Sequence, residues 1–194
     1  MQIPLLIKVL QTAFVCVLVP AYWKRYGPSN FLWFSDIALL VSVVALWSQS
    51  ALLASMQAVA VLAVETVWII DFAAGIAFDV QLTGLTRYMF DRRRTLAFRL
   101  LSLFHVWLPP LLVWMVYDFG YDRRALLLQT VACWIILPLT YLLTDPADNI
   151  NWVFGFPRPS QTRKRPWRYL LVLMVGFPLF VYLPTHLALL WLMP

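Results

Sequence analysis

The chain has 194 residues, of which 62% are hydrophobic and only 12% are charged, and its net charge is +6. Soluble domains hold about 45–50% apolar and about 25% charged residues, and a chain of this size can bury only part of its surface. The composition therefore excludes a soluble enzyme, a disordered chain and a nucleic-acid-binding module, and it points to an all-α polytopic membrane bundle in one domain.

A membrane-crossing helix needs about 20 mostly apolar residues. Six stretches meet that need, approximately at 3–22, 31–47, 51–72, 95–116, 125–144 and 169–193. No alternating apolar and polar pattern of the outer-membrane barrel kind competes with the helical reading. The first stretch lacks the basic start and small-residue cleavage site of a secretory signal, so it reads as a retained span. Gly27-Pro28 precedes the second stretch, and Ser29 or Asn30 is placed to cap it. The second stretch is the shortest. Pro109-Pro110 predicts a bend in the fourth, and Pro138, Pro178 and Pro184 predict kinks in the last two. Cys16 and Cys133 both fall inside apolar stretches, which reads as two buried thiols rather than a disulfide.

The connecting loops alternate in charge. Lys24 and Arg25, then Arg87 and Arg92–Arg94, then Arg158, Arg163, Lys164, Arg165 and Arg168 place eleven cations on one side of the six spans. Arg123 and Arg124 are the loop cations of the other side. Cytoplasmic loops carry the excess of Lys and Arg. The expectation is a cell inner membrane protein of bacterial type with both termini on the non-cytoplasmic side. The lipid bilayer is then its first partner.

Ionisable residues inside an apolar stretch are expensive, so each is a candidate for function. Asp36 falls in the first turns of the second span, where a helix dipole favours a carboxylate. Asp71 and Asp145 end the third and fifth spans, where the dipole disfavours them, unless the third span continues through Ala73-Ala74-Gly75, and the Arg92, Arg93 and Arg94 run is at the right level to offset the charge. Glu65 lies about six residues, or roughly 9 Å, deeper than Asp71. Asp145, Asp148, Asn149 and Asn151 bring four oxygen-bearing side chains into seven residues. A tight turn explains part of that cluster, and a divalent cation such as Mg²⁺ at Asp145 and Asp148 is the alternative. His105 and His186 invite a haem, but their depths in the fourth and sixth spans differ by roughly 10 Å, which disfavours it. Ser102 with His105, and Tyr182 with His186, each form a small polar face one turn long.

Asp36, Asp71, Asp145 and Asp148 are thus the candidates for general acid, general base or metal-binding roles. Glu65, Arg92, Arg93, Arg94, His105, Asn149, Asn151, Tyr182 and His186 are the candidates for binding a substrate. Three readings of function follow. In the first, a membrane-embedded enzyme or lipid-handling protein takes a lipid or isoprenoid-like amphiphile at the basic side. In the second, a small-solute transporter or substrate-binding subunit holds its ligand near Glu65, His105, His186 and the deep tryptophans. In the third, the chain is an accessory subunit of a larger membrane complex. The first is preferred, because the acidic residues gather on the basic side.

Overall fold

A computed structural model gives the fold and describes residues 3–156 and 167–193. Four cations of the last basic loop, Arg158, Arg163, Lys164 and Arg165, lie outside the described residues. All regular structure among the described residues is helical: α1 (Leu5–Tyr26), α2 (Phe34–Ser48), α3 (Ala51–Phe78), α4 (Arg87–Phe90), α5 (Leu96–Leu101), α6 (Phe104–Phe119), α7 (Ala125–Leu143), α8 (Trp167–Gly176) and α9 (Leu183–Leu192). Short 3₁₀ turns occupy Pro28–Leu32 and Ile150–Trp152, and a π-helical segment, Phe177–Tyr182, joins α8 to α9.

Five helical segments are long and apolar enough to cross a membrane: α1, α3, Leu96–Phe119, α7 and Trp167–Leu192. The expected second span is different. α2 has 15 residues, so it is about 22 Å long against a hydrocarbon thickness of about 30 Å. The chain before it coils in the 3₁₀ turn instead of extending the helix, because Pro28 withholds an N–H and Gly27 takes φ 80°.

Pro109 and Pro110 do not interrupt the fourth span. α6 runs through both prolines, and the break comes at Ser102–Leu103, one to two turns earlier. In the last span the disturbance falls where prolines are found. Pro178 and Pro184 each withhold a donor from the helical ladder, and the helix widens to π register around them. The expected caps of α2, Ser29 and Asn30, do not cap it. Asn151, 117 residues away, accepts the hydrogen bond of the Phe34 N–H at 3.0 Å and donates to the Leu32 carbonyl at 2.7 Å.

α3 is the centre of the bundle and packs against α2, α6, α7 and α9. Its buried face carries Ala54, Ser55, Ala58 and Ala60. Small residues let helices approach closely in lipid, where van der Waals packing and interhelical hydrogen bonds hold the bundle. One such bond set ties α1, α2 and α6 together. Gln11, 4% exposed, donates to Ser42 at 2.9 Å and accepts from the Trp107 indole at 3.4 Å. Outward faces are apolar, with Leu6, Ile70, Leu127, Phe180 and Trp191 all exposed. Trp23, Trp47 and Trp167 sit exposed at helix ends, the level at which such rings meet a lipid headgroup. Both cysteines are free, but only Cys133 is buried; Cys16 is exposed.

Candidate functional site

At the end of the bundle where α1 finishes and α2 and α6 begin, a cavity of about 610 Å³ opens between the helices. That is the size range of pockets that hold small ligands. It is the end that carries Lys24, Arg25, Arg87 and Arg92–Arg94. The cavity has three levels. Arg25, Arg94 and Asp148 line the mouth, Asp36, Glu65, Ser102 and His105 line the waist, and Ala60, Val61, Phe104 and Phe177 form an apolar floor. From Trp68 to Ala60 along α3 the descent is about 12 Å.

The waist holds two buried carboxylates. Glu65 is 3% exposed, and its Oε2 lies 2.7 Å from His105 Nδ1. The imidazole stacks on Trp68 at 4.7 Å between ring centres and on Phe104 at 4.1 Å. Glu65 and these rings fix the imidazole plane. A carboxylate at Nδ1 selects the tautomer whose Nε2 is a free acceptor, the arrangement of a general base. No protein group among the described residues bonds that Nε2, and His105 lines the cavity.

Asp36 is 4% exposed and lies within electrostatic reach of Glu65 and His105. Asn30 donates to its Oδ2 at 2.9 Å. Its Oδ1 is buried without a hydrogen-bond partner. Buried polar atoms are nearly always paired, so an orphan oxygen beside a cavity marks a place for an occupant. Ser102 is not poised as a nucleophile for His105: its hydroxyl is bonded to Tyr22 at 3.0 Å and to the Phe98 carbonyl at 3.1 Å.

At the mouth, Arg94 lies over the Tyr88 ring at 5.3 Å and donates to the Tyr26 hydroxyl at 3.3 Å. Arg25 lies over Tyr26 at 6.0 Å. Stacking holds each guanidinium in place while leaving donors for an anion. Burial holds the Tyr88 phenol above its ordinary pKa, so it stays a neutral donor in the wall.

The remaining candidates are placed as follows. Asp71 is fully buried, and the cavity does not use it. Its carboxylate accepts from the Thr83 N–H at 2.7 Å, the Gly84 N–H at 3.4 Å, the Thr86 N–H at 2.9 Å and the Thr86 hydroxyl at 2.6 Å. Three backbone N–H groups and the Thr86 hydroxyl, not the expected arginines, offset its charge. The loop it holds forms one wall of the cavity through Thr83, Gly84 and Leu85.

Asp145 is exposed and accepts from the Ala147 N–H in its own turn. Asn149 closes the same turn, donating to the Gly155 carbonyl and accepting from the Phe154 N–H. Among the described residues no three His, Cys, Asp or Glu side chains gather as a metal site. Asn151 lines the cavity while tying down α2. Arg92 and Arg93 are exposed outside the lining.

Tyr182 is fully buried beside Cys133, outside the cavity lining and behind Phe177 of its floor. His186 is hydrogen-bonded to Tyr121 at 2.5 Å, beyond the far end of α6. His105 is at the near end of that helix, so the two imidazoles do not face a common ligand. At the far end, burial pushes the Tyr121 phenol up to about 12, with the Asp122 charge adding to it.

Sequence reasoning did not single out Tyr22, Tyr26, Asn30, Tyr88 or Arg25 as site residues. The (i, i+4) spacing of Tyr22 and Tyr26 beside Arg25 was the available signal for one wall. Nothing local marked Tyr88. Comparison of the chain with known protein families, characterised proteins and solved structures returns no match.

Proposed function

We propose that this chain is a membrane-embedded enzyme that binds an anionic amphiphile and carries out acid–base chemistry on it at the waist of the cavity. The observation that carries the reading is the joining of three chemistries in one pocket. Two arginines stand at the mouth, His105 with its buried partner Glu65 and Asp36 line the waist, and the floor is apolar. Arg25 and Arg94 would hold a phosphate or carboxylate. The floor would take the start of an acyl or isoprenoid chain. His105 Nε2 then stands as the general base, with Asp36 beside it as the second acidic group of the waist. The basic loops support a cytoplasmic mouth, with the termini outside and the protein in a bacterial inner membrane.

The test uses the purified chain in lipid nanodiscs. Oleoyl lysophosphatidic acid should bind saturably and monoolein, which lacks the phosphate, should not. Arg94→Ala should weaken binding by about tenfold, equivalent to about 1.4 kcal/mol. His105→Gln, isolated from the same cells, should retain a lipid species that the wild-type chain has already converted. Equal binding of the two probes would overturn the reading. Identical retained lipids on both proteins would remove the chemistry and leave a carrier.

A further inference from the structure

The charges around the cavity do not form one patch of one sign. At the mouth Arg25 and Arg94 outnumber Asp148. At the waist Asp36 and Glu65 face a single imidazole, which is bonded to Glu65. No Lys or Arg among the described lining residues stands at the waist. Asp36 therefore keeps one buried oxygen with neither a hydrogen bond nor a countercharge of its own. A buried carboxylate left so is costly unless a cation or a donor completes it. Aromatic rings form much of the neighbouring wall, with Tyr22, Trp68 and Tyr88 in the lining. Ring faces attract ammonium groups, and most of all where water is excluded.

We infer that the occupant carries an ammonium group between its anionic end and its chain, seated against Asp36. This assignment rests on the amphiphile reading above and narrows its substrate class. The order of groups along the cavity is anion, cation, hydrocarbon. A long-chain 2-amino-1-phosphate has its groups in that order, with the phosphate at the arginines, the amine at Asp36 and the chain over Phe177. Asn30 already donates to the other oxygen of Asp36, so the amine completes the carboxylate without displacing a protein bond.

The experiment compares four probes on the wild-type chain in nanodiscs. Sphingosine 1-phosphate carries phosphate, amine and chain. Oleoyl lysophosphatidic acid lacks the amine, ceramide 1-phosphate has it acylated, and sphingosine lacks the phosphate. The amino-phosphate should bind about tenfold or more tightly than lysophosphatidic acid, as expected for a charge-assisted hydrogen bond. Ceramide 1-phosphate should lose that advantage. Asp36→Asn should bring sphingosine 1-phosphate down to the level of lysophosphatidic acid, and retained binding of the latter shows that the variant is folded. Equal affinity of the first two probes on the wild-type chain would overturn the ammonium assignment and leave the anionic-amphiphile reading intact. Failure of both phosphates to bind would overturn the reading itself.

Discussion

Asp71→Asn tests whether the wall of the cavity is held by one carboxylate. Each Asp71 oxygen accepts from two donors, and three of the four bonds are 2.6–2.9 Å long. An asparagine keeps the volume but turns an NH₂ towards one pair of donors. The least costly rotamer places it against Thr83 and Gly84, since the Gly84 bond is already long at 3.4 Å. One strong charge-assisted bond and one weak one are lost, and the bonds to Thr86 lose their charge. At about 1.5–3 kcal/mol for a bond to a charged group, the cost is about 3 kcal/mol. The loop opens locally without unfolding the bundle, because α3 is buried against four other helices. Its amides should then exchange with deuterium about 100-fold faster. Hydrogen-exchange mass spectrometry in nanodiscs, read on peptides spanning residues 79–90 and on the first half of α3, measures this directly. Faster exchange confined to 79–90 is the expected result. Exchange in that loop within about threefold of wild type would refute the reasoning, since a loss of 3 kcal/mol cannot hide there.

Three other perturbations test different joints. Asn151→Ala removes two hydrogen bonds from the start of α2 and should cost about 2–3 kcal/mol in denaturant-induced unfolding, with a matching loss of ligand binding. A double-mutant cycle on Gln11→Leu and Ser42→Ala should return a coupling of about 0.6 kcal/mol, the average for interhelical bonds in lipid; a value above about 1.7 would show the network to be stronger than its kind. Asp122 outside the spans is held below its ordinary pKa by hydrogen bonds from Arg124. Its contribution is present above the unfolded value of about 3.9 and is lost as pH falls through the lower folded value. Asp122→Asn should therefore lower Tm slightly at neutral pH and leave it unchanged in strong acid, and a gap that widens on acidification would contradict the pairing.

Much of the architecture was legible because lipid leaves little choice. A run such as Ala51–Phe78 can only satisfy its backbone as a helix, and the sequence showed where each such run began. The buried acids Asp36 and Glu65 were legible for the same reason, as charges where charge is costly. Their partners were not. His105 is 40 residues from Glu65, Ser102 is 80 from Tyr22 and Asn151 is 117 from Phe34, and no local periodicity links them. Asp71 shows a second limit. The helix-dipole expectation failed at its premise: α3 continues to Phe78, about two turns past Asp71, and the buried carboxylate is satisfied instead by N–H groups and the Thr86 hydroxyl of the loop that follows. The turn at 144–156 follows its Asp-Pro and Asp-Asn signals. Yet Asn149, Asn151 and Trp152 adopt φ of 44°, 49° and 57°, a conformation that the tryptophan in particular resists. Tertiary contacts hold that backbone, with Asn151 clamped to α2 and Trp152 against Trp33.

The shortness of α2 bears on how an amphiphile would arrive. A helix some 8 Å shorter than the hydrocarbon layer cannot meet both faces of a flat bilayer. On its flank the lipid surface must dip, or headgroups must descend towards Gly27–Trp33. Asp36, in the first turn of α2, is then brought towards the level of the surrounding phosphates, although Glu65 lies at mid-length of the neighbouring α3. A ligand moving sideways in that leaflet would reach Asp36 and His105 without its chain entering water, and the energetic barrier to loading would be set by local membrane thickness. The protein should accordingly work best in thin bilayers and slow as acyl chains lengthen.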